Sequence, residues 1–367
     1  MMKLRKLTLR LLLTINTCDI IIMLLVGLSD RINPVSHPTL SLAGLTFPLW
    51  LTVNMLFLVL WLCLKWQYAL LPVAGLLLGF HPVRAYFPLN APQEKPANAV
   101  KVLSYNVESY GYGKAWLPGH KHDENDIVDY ISHSGADIIC LQEASQQSMN
   151  DRLDAELRNS LPYEYHCMSD SSGEMIKIYS RWPFIKTERV HFKSYGNLSI
   201  AAWVKAGNKR IAIINNHLES NKLEDSDKTE FKTMVKGEAS MREMRSSSET
   251  LIHKLKSAAV IRSPQADAVH NYVSRCLAKG MSVILCGDFN DTPISYTHRT
   301  IRKGLTDCYI STANGAGFSY HKSGMLVRID NIMCSPDITP YNAKVDNSIG
   351  KSDHYPIMCW LDLNLNS

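Results

Sequence analysis

The chain of 367 residues carries 39 Lys and Arg against 34 Asp and Glu, a net charge of +5. That whole excess sits in the first 90 residues, where Lys3, Arg5, Lys6, Arg10, Arg31, Lys65 and Arg84 face only Asp19 and Asp30; the remainder holds 32 basic and 32 acidic side chains. A neutral remainder gives no net-charge argument for binding nucleic acid, which needs a local basic surface. The head itself reads as membrane. Residues 11–28 and 40–64 are apolar runs of the length that a span requires, about 20 residues. A third run, 68–80, is short and spans only if its flanks Trp66 and Tyr86 sit at the interfaces. The first run could also be a signal peptide, but no small-x-small cleavage site clearly follows it. Residues 1–89 are therefore expected to form a membrane region of two or three transmembrane helices. Asn16 and Asp19 within the first run are read as helix–helix packing rather than as a polar site. Lys3, Arg5, Lys6 and Arg10 assign the N-terminus to the cytoplasm, and Lys65 returns there after two crossings. A third crossing would put everything beyond about residue 91 on the extracytoplasmic side; without it the remainder is cytoplasmic.

A proline-broken polar linker, "NAPQEKPANA" (90–99), precedes one continuous domain over 100–364. "VKVLSYNV" reads as a strand, and "NDIVDYISHSG" has helical spacing with Gly135 as its stop. "ADIICLQE" is a buried strand, and "MNDRLDAELRNSLP" a helix ended by proline. Four strand-like segments follow: "YEYHCM", "MIKIYSR", "LSIAAWVKA" and "RIAIINNHL". Residues 221–262 form a charged, helical insertion with nine basic and seven acidic residues in 222–262. Ser263 is expected to cap a new helix with Pro264 at its first position and Gly280 beyond its end. Strands at 282–286, 329–334 and 357–362 close the chain. Cys140, Cys286, Cys334 and Cys359 fall in apolar strand-like runs, which is core placement rather than a disulfide or zinc framework. Strands outnumber helices and come in runs, so a sandwich of two sheets with outer helices fits better than a doubly wound sheet.

The polar ends of these strands carry the chemistry. Asn106 follows "VLSY", Glu143 follows "IICLQ", and His217 follows "IAIINN". Asp288 and Asn290 follow "VILCG", Asp330 sits in "VRIDNIM", and Asp353-His354 precede "YPIMCW". Carboxylates with amide oxygens make a hard-oxygen site suited to Mg²⁺ or Mn²⁺. Such a metal neutralises a phosphate and stabilises the charge that grows as it is attacked. Asp288 can then take a proton from water, Asn290 can orient that water or the substrate, and an Asp330–His354 dyad can hold an imidazolium against the phosphate or serve the leaving oxygen. "DFNDTP" is not an EF-hand loop, because its sixth position is Pro293 and its twelfth Arg299.

The ordered set "YNV", "LQE", "YSRWPF", "NNHL", "GDFND", "RID" and "SDHYP" resembles the endonuclease/exonuclease/phosphatase superfamily across 100–362. Its members include deoxyribonucleases, abasic-site endonucleases, neutral sphingomyelinases and inositol polyphosphate 5-phosphatases. The resemblance, with a layout that also looks like membrane-attached bacterial members, implies an α/β fold: a four-layer α/β/β/α sandwich of two mixed sheets behind a helical transmembrane region. It implies that Asn106 and Glu143 bind the metal, with Asp353 a second acid there and Glu108 nearby. It further implies that Asp288 activates or binds the nucleophilic water, Asn290 helps hold the phosphate, His217 contacts the phosphate and Asp330 orients His354. Arg181 in "YSRWP" is a further candidate, read first as a brace for its strand end. "NNHLES" stands where abasic-site endonucleases carry a tyrosine-bearing segment, which points away from DNA repair. The implied activity is membrane-anchored, metal-dependent phosphoester hydrolysis, foremost nuclease-like, with a phospholipid or phosphoinositide headgroup as alternative. "SYGYGKAWLPGH" (109–120) is read as a substrate or membrane-facing loop, or as an ordinary Gly-rich turn. A non-catalytic tethered binding domain would be expected to lack some of Glu143, Asp288, Asn290, Asp330 and His354, and all are present. No motif points to a protein partner.

Overall fold

Three apolar helical segments begin the chain, and each is explained by its neighbours. The computed structural model describes residues 2–114 and 126–365, so the end of the 109–120 loop lies outside the described residues. Helix α1 (Met2–Gly27) is followed by a short α2 (Pro38–Ser41) and by α3 (Phe47–Leu64). Then come α4 (Leu70–Leu78) and α5 (Phe80–Tyr86), bent by 76° from each other at Gly79. Two helices are long and apolar enough to cross a membrane, and the bent pair makes a third candidate span. Leu7, Leu11, Leu25, Leu56, Leu62 and Leu77 lie exposed on their outer faces, which is how lipid-facing helices present leucine.

The interior contacts of this head fix its direction. Trp61 near the end of α3 donates through Nε1 to Asn16 Oδ1 at 3.0 Å, while Phe47 at its start lies beside Gly27. Helices α1 and α3 are therefore antiparallel. Gly75 faces Ile20 and Gly79 faces Leu24, so α4 rises alongside α1 in the same sense, and beyond the bend Pro82 of α5 meets Gly27 at the end of α1. The spacing Gly75-x-x-x-Gly79 lets these backbones close up; a Cβ at Gly75 would meet Ile20 Cγ1 at 2.9 Å. Asn16 and Asp19 are both buried between the helices.

Beyond the linker the chain runs β1 (Val100–Asn106), α6 (Asp126–Ser132), β2 (Ile138–Gln142) and α7 (Gln147–Leu157). Strands β3 (Tyr163–Met168), β4 (Met175–Ser180), β5 (Phe184–Val190), β6 (Leu198–Ala206) and β7 (Lys209–His217) follow. Next are α8 (Asp225–Val235), α9 (Met241–Ala278), β8 (Ser282–Asp288) and α10 (Tyr296–Ile301). The chain ends with β9 (Thr306–Asp307), α11 (Cys308–Thr312), β10 (Asp330–Cys334), β11 (Thr339–Val345) and β12 (Ile357–Asp362).

Two six-stranded sheets result, ordered β11-β12-β1-β2-β4-β3 and β5-β6-β7-β8-β10-β9. Both are mixed: β1 and β2 are parallel at the centre of one, β7 and β8 at the centre of the other. Alternation along each strand divides the core into layers. In β8, Ile284 and Cys286 point between the sheets with Val102, Cys140, Ile178, Ile213 and Ile332. Val283 and Leu285 point outward onto Ala266, Val269 and Val273 of α9. On the other side Leu103, Tyr105, Ile139 and Leu141 meet Ile127, Ile131 and Leu153 of α6 and α7. The four-layer α/β/β/α sandwich is thus present, and Cys140, Cys286, Cys334 and Cys359 are free thiols in its core.

One boundary differs from expectation. Ser263 does not cap a helix; it lies inside the continuous 38-residue α9, with Pro264 in its interior. The proline removes one backbone donor and ordinarily costs a helix interior about 3 kcal/mol. Contacts on either side hold it: Arg262 Nη1 donates to Glu219 O at 2.7 Å, and Gln265 Oε1 accepts from Glu219 N at 2.9 Å. The true cap is Ser240, whose Oγ accepts from Glu243 N while Glu243 Oε2 accepts from Ser240 N.

Head and domain touch directly. Asp30 Oδ2 lies 3.4 Å from Arg299 Nη1, and Ile294 joins Met23, Val26 and Phe47 in one apolar cluster. A Cβ at Gly44 would overlap Ile294 O, so the chain must be glycine there. Arg328, buried, donates to Ala85 O and Ala316 O, while Asn90 Nδ2 donates to Ile310 O and Ala313 O.

Candidate functional site

Parallel and antiparallel pairing bring three strand ends into one row. Asp288 at the end of β8 is the register partner of His217 on β7 and of Asp330 at the start of β10. In the facing sheet Asn106 ends β1 beside Gln142 of β2, and Glu143 follows at once with a positive φ of 54° that turns it toward Asn106. The two rows meet across the sandwich: Asn106 Nδ2 donates to Glu143 Oε1 at 2.9 Å and to Asp288 Oδ2 at 3.2 Å. Beneath them a buried amide clasp ties sheet to sheet. Gln142 Nε2 donates to Asn215 Oδ1 at 2.6 Å, and Asn215 Nδ2 donates to Leu141 O and Lys177 O.

Asp330 Oδ2 lies 2.8 Å from His354 Nδ1, and the other face of the same ring, Nε2, lies 3.8 Å from Asp288 Oδ2. Ser352 fixes the histidine's backbone: its Oγ donates to Asn106 O and accepts from His354 N. Ser319 Oγ accepts from both Ile329 N and Asp330 N, while Tyr320 packs edge-on against the His354 ring. Asn290, at a φ of 52°, donates its backbone N–H to Asp288 Oδ1 at 2.7 Å and its side chain to Leu218 O at 3.0 Å. Phe289 between them is fully buried. Asp291 turns away, accepting from Thr292 N and pairing with Arg262.

His217 Nε2 lies 3.5 Å from Glu143 Oε1 and 3.9 Å from Asp288 Oδ2, and its Nδ1 lies 3.4 Å from Glu174 Oε2. Glu174 was not anticipated. It immediately precedes β4, which runs antiparallel to β2 and so starts at the end where β2 delivers Glu143. Lys322 was missed as well: its Nζ sits 3.0 Å from Glu108 Oε1 and 3.6 Å from Asp353 Oδ2. Glu108 Oε2 in turn accepts from Asp353 N. Arg181 stands at the opposite end of the sheet, where it pairs with Asp137 at 2.7 Å and covers Trp182. It braces the strand end and does not reach the cluster.

The electrostatics follow from this crowding. Burial pushes the Glu143 carboxyl up to about 7 against the opposing pull of His217. Burial and the neighbouring Asp330 raise Asp288, partly offset by His354 and His217. Burial disfavours the imidazolium of His217, yet Glu174, Glu143 and Asp288 together raise it to about 9. His354 is likewise held well above its ordinary value by Asp330 and Asp288 in spite of burial. Six carboxylates, those of Glu108, Glu143, Glu174, Asp288, Asp330 and Asp353, thus face two imidazoles and one ammonium. Among the described residues Asp330 Oδ1 is buried without a hydrogen-bond partner. Glu143, Glu174 and His217, and separately Asp288, Asp330 and His354, bring ligand atoms within 4.8 Å of one another. An excess of buried oxygen donors with no thiolate among them fits a hard divalent cation.

Comparison with known proteins agrees with this geometry. The model of the endonuclease/exonuclease/phosphatase family matches residues 103–354. A second family, described as a domain of unknown function, matches residues 9–86. No curated protein matches the chain. Among solved structures it is similar to the human Nocturnin catalytic domain with bound sulfate anion, at 15% identity and a TM-score of 0.52 over 72% of this chain and 94% of that one. It is also similar to sphingomyelinase C from Streptomyces griseocarneus, at 17% identity and a TM-score of 0.50 over 72% of this chain and 99% of that one. At such identities the likeness is one of fold.

Proposed function

Because this chain belongs to the endonuclease/exonuclease/phosphatase family, we propose that it is a membrane-anchored, divalent-metal-dependent hydrolase of phosphodiesters. The observation that carries this reading is the row His217–Asp288–Asp330 facing Asn106 and Glu143 across the sandwich. Asn106, Glu143 and Asp353, with Glu108 beside them, would hold Mg²⁺ or Mn²⁺. The ion would neutralise the phosphate and stabilise the charge that develops on attack. Asp288 would take the proton of the attacking water, and burial with the neighbouring Asp330 raises its proton affinity for that task. Asn290 is locked by three hydrogen bonds that engage its backbone N–H and its Nδ2, so its Oδ1 would accept from the attacking water. His217 and His354, both favoured as imidazolium, face the phosphate, and Asp330 orients His354.

One observation favours a phosphoester at the bilayer surface over nucleic acid. The loop that carries Asp288 and Asn290 continues to Ile294, which packs into the membrane head, and Arg328 beside Asp330 grips Ala85. The site rim is thus fastened to the membrane helices. Meanwhile three of the cations in 222–262 are paired with nearby acids: Lys254 with Asp227, Arg245 with Glu249, and Lys236 with Glu238. Cations paired in this way are less available to line the open basic groove that a single strand needs.

The same contacts support an extracytoplasmic domain. The α1 C-terminus, the α3 N-terminus and α5 meet the domain, whereas Lys65 and the basic N-terminus lie at the other end of the bundle. With the positive end inside, the domain is outside. The full chain incubated with phospholipid vesicles, single-stranded DNA and bis-p-nitrophenyl phosphate, with and without Mg²⁺, tests the assignment. Cleavage of all three without metal, or of none with it, would remove it.

A further inference from the structure

A cavity of about 600 Å³ lies at the junction of head and domain, within the ~300–1,000 Å³ range of small-molecule sites. Its walls are amphipathic. Leu24, Leu28 and Leu78 come from the ends of α1 and α4, while Arg31, Arg299 and Arg302 come from the turn after α1 and from α10 and its cap. The bend at Gly79 carries α5 away from the axis of α4, and the groove so left beside Gly27 forms its membrane side. None of the site residues Asn106, Glu143, His217, Asp288, Asp330 or His354 lines it.

Its charge is unbalanced. Asp30, the one acid in the lining, lies against Arg299 at 3.4 Å, and His298 is engaged with Asp307 at 2.8 Å. Among the described residues neither the Arg31 nor the Arg302 guanidinium has a hydrogen-bonded or ion-paired partner. Two open guanidinium groups above three leucines match one chemistry: a phosphate attached to acyl chains. Arginine recognises phosphate oxygens through paired donors, and basic pockets between spanning helices hold anionic headgroups. The ends of the spanning helices put this cavity at headgroup depth in the leaflet nearest the domain.

We propose that this cavity is a binding site for an anionic phospholipid, its phosphate held by Arg31 and Arg302 and its chains laid along Leu24, Leu28 and Leu78. The lipid completes the joint between the membrane helices and α10, and it does so apart from the hydrolytic site. A free phosphate would leave the leucines unused.

The test uses the full chain purified in nonionic detergent, with thermal unfolding and native mass spectrometry as readouts. Phosphatidylglycerol, phosphatidylcholine and inorganic phosphate are added in turn. Phosphatidylglycerol is expected to be retained and to raise the unfolding midpoint, while phosphatidylcholine and inorganic phosphate do not. Arg31→Gln with Arg302→Gln should weaken retention at least about tenfold, the size expected for losing charged hydrogen bonds. Leu78→Trp, which fills the apolar side and keeps the arginines, should weaken it as well. Equal effects of phosphatidylglycerol and phosphatidylcholine, an equal effect of inorganic phosphate, or a phosphatidylglycerol preference kept by both variants would each overturn the proposal. Loss of hydrolysis with lipid retention intact would instead bear on the hydrolytic reading alone.

Discussion

Asp288 is the register partner of His217 across the parallel strands β7 and β8, and their side chains approach to 3.9 Å. A parallel pair delivers both residues to the same end, and the antiparallel β10 adds Asp330 from the other side. The row itself is thus a property of sheet topology, while the segments just beyond the strands supply Glu108, Glu143, Glu174, Asn290, Lys322 and the Asp353–His354 pair. Its carboxylates are close enough to raise each other's proton affinity, which a bound cation would relieve.

Asp288→Asn keeps the shape and removes the base. Hydrolysis of bis-p-nitrophenyl phosphate should fall by about 10²–10⁴-fold, the usual worth of a positioned acid or base. The unfolding midpoint should hold or rise, since a buried carboxylate under strain is removed.

Asp330→Asn should act through His354. Asp330 is the largest influence keeping this buried imidazole protonated. If the imidazolium is the working form, activity is lost as pH rises through its pKa. Neutralising Asp330 lowers that pKa, so the alkaline limb of the rate–pH profile should move to lower pH by ~1 unit or more. A limb that stays in place would assign it to another group.

Stability should fall on acidification through His298 and Asp307. Burial lowers the His298 pKa below 6.5, so the unfolded state takes up the proton first as pH drops. Asp307 is also lowered, its burial outweighed by His298 and Arg328. Its contribution is present above the unfolded value near 3.8 and is lost as pH falls through the lower folded value. Both signs agree. Thermal unfolding compared between the native chain and His298→Gln from pH 8 to 4 should show the native chain losing more stability than the variant once pH falls below about 6.5.

Gly287→Ala should be severe. Gly287 has a φ of 132°, and a Cβ there would stand 2.0 Å from Asn216 O on the neighbouring strand. Overpacking and the strained backbone together predict a loss of about 3 kcal/mol or more, measured by chemical denaturation.

Arg328→Ala should loosen the domain from the head without touching the residues proposed to hold the metal. Its guanidinium serves Ala85 O and Ala316 O. Losing these buried bonds should cost about 1–3 kcal/mol and speed proteolysis in the 90–99 linker.

Much of this was legible in the sequence because buried strands announce themselves and end abruptly in polar residues. "VILCGD" and "IAIINNH" could each be read alone. Their adjacency could not, and Glu174 shows the consequence: it meets His217 only because β4 runs antiparallel to β2. The same holds for Lys322, which reaches Glu108 from 214 residues away. Strand β11 begins Thr339-Pro340 and alternates poorly, so it carried no strand signal. At Pro264 a local rule lost to packing, while the capping box Ser240–Glu243 was present in the sequence and passed over. Gly75 and Gly79 were likewise written plainly, but their partner Ile20 belongs to another helix.

The most direct test of the central claim is metal-dependent hydrolysis by the purified full chain alongside His354→Ala. Bis-p-nitrophenyl phosphate is followed after chelation and after restoring Mg²⁺ or Mn²⁺. The account predicts hydrolysis that chelation abolishes, metal restores, and His354→Ala reduces by about 10²–10⁴-fold. Hydrolysis that survives both chelation and His354→Ala would contradict it.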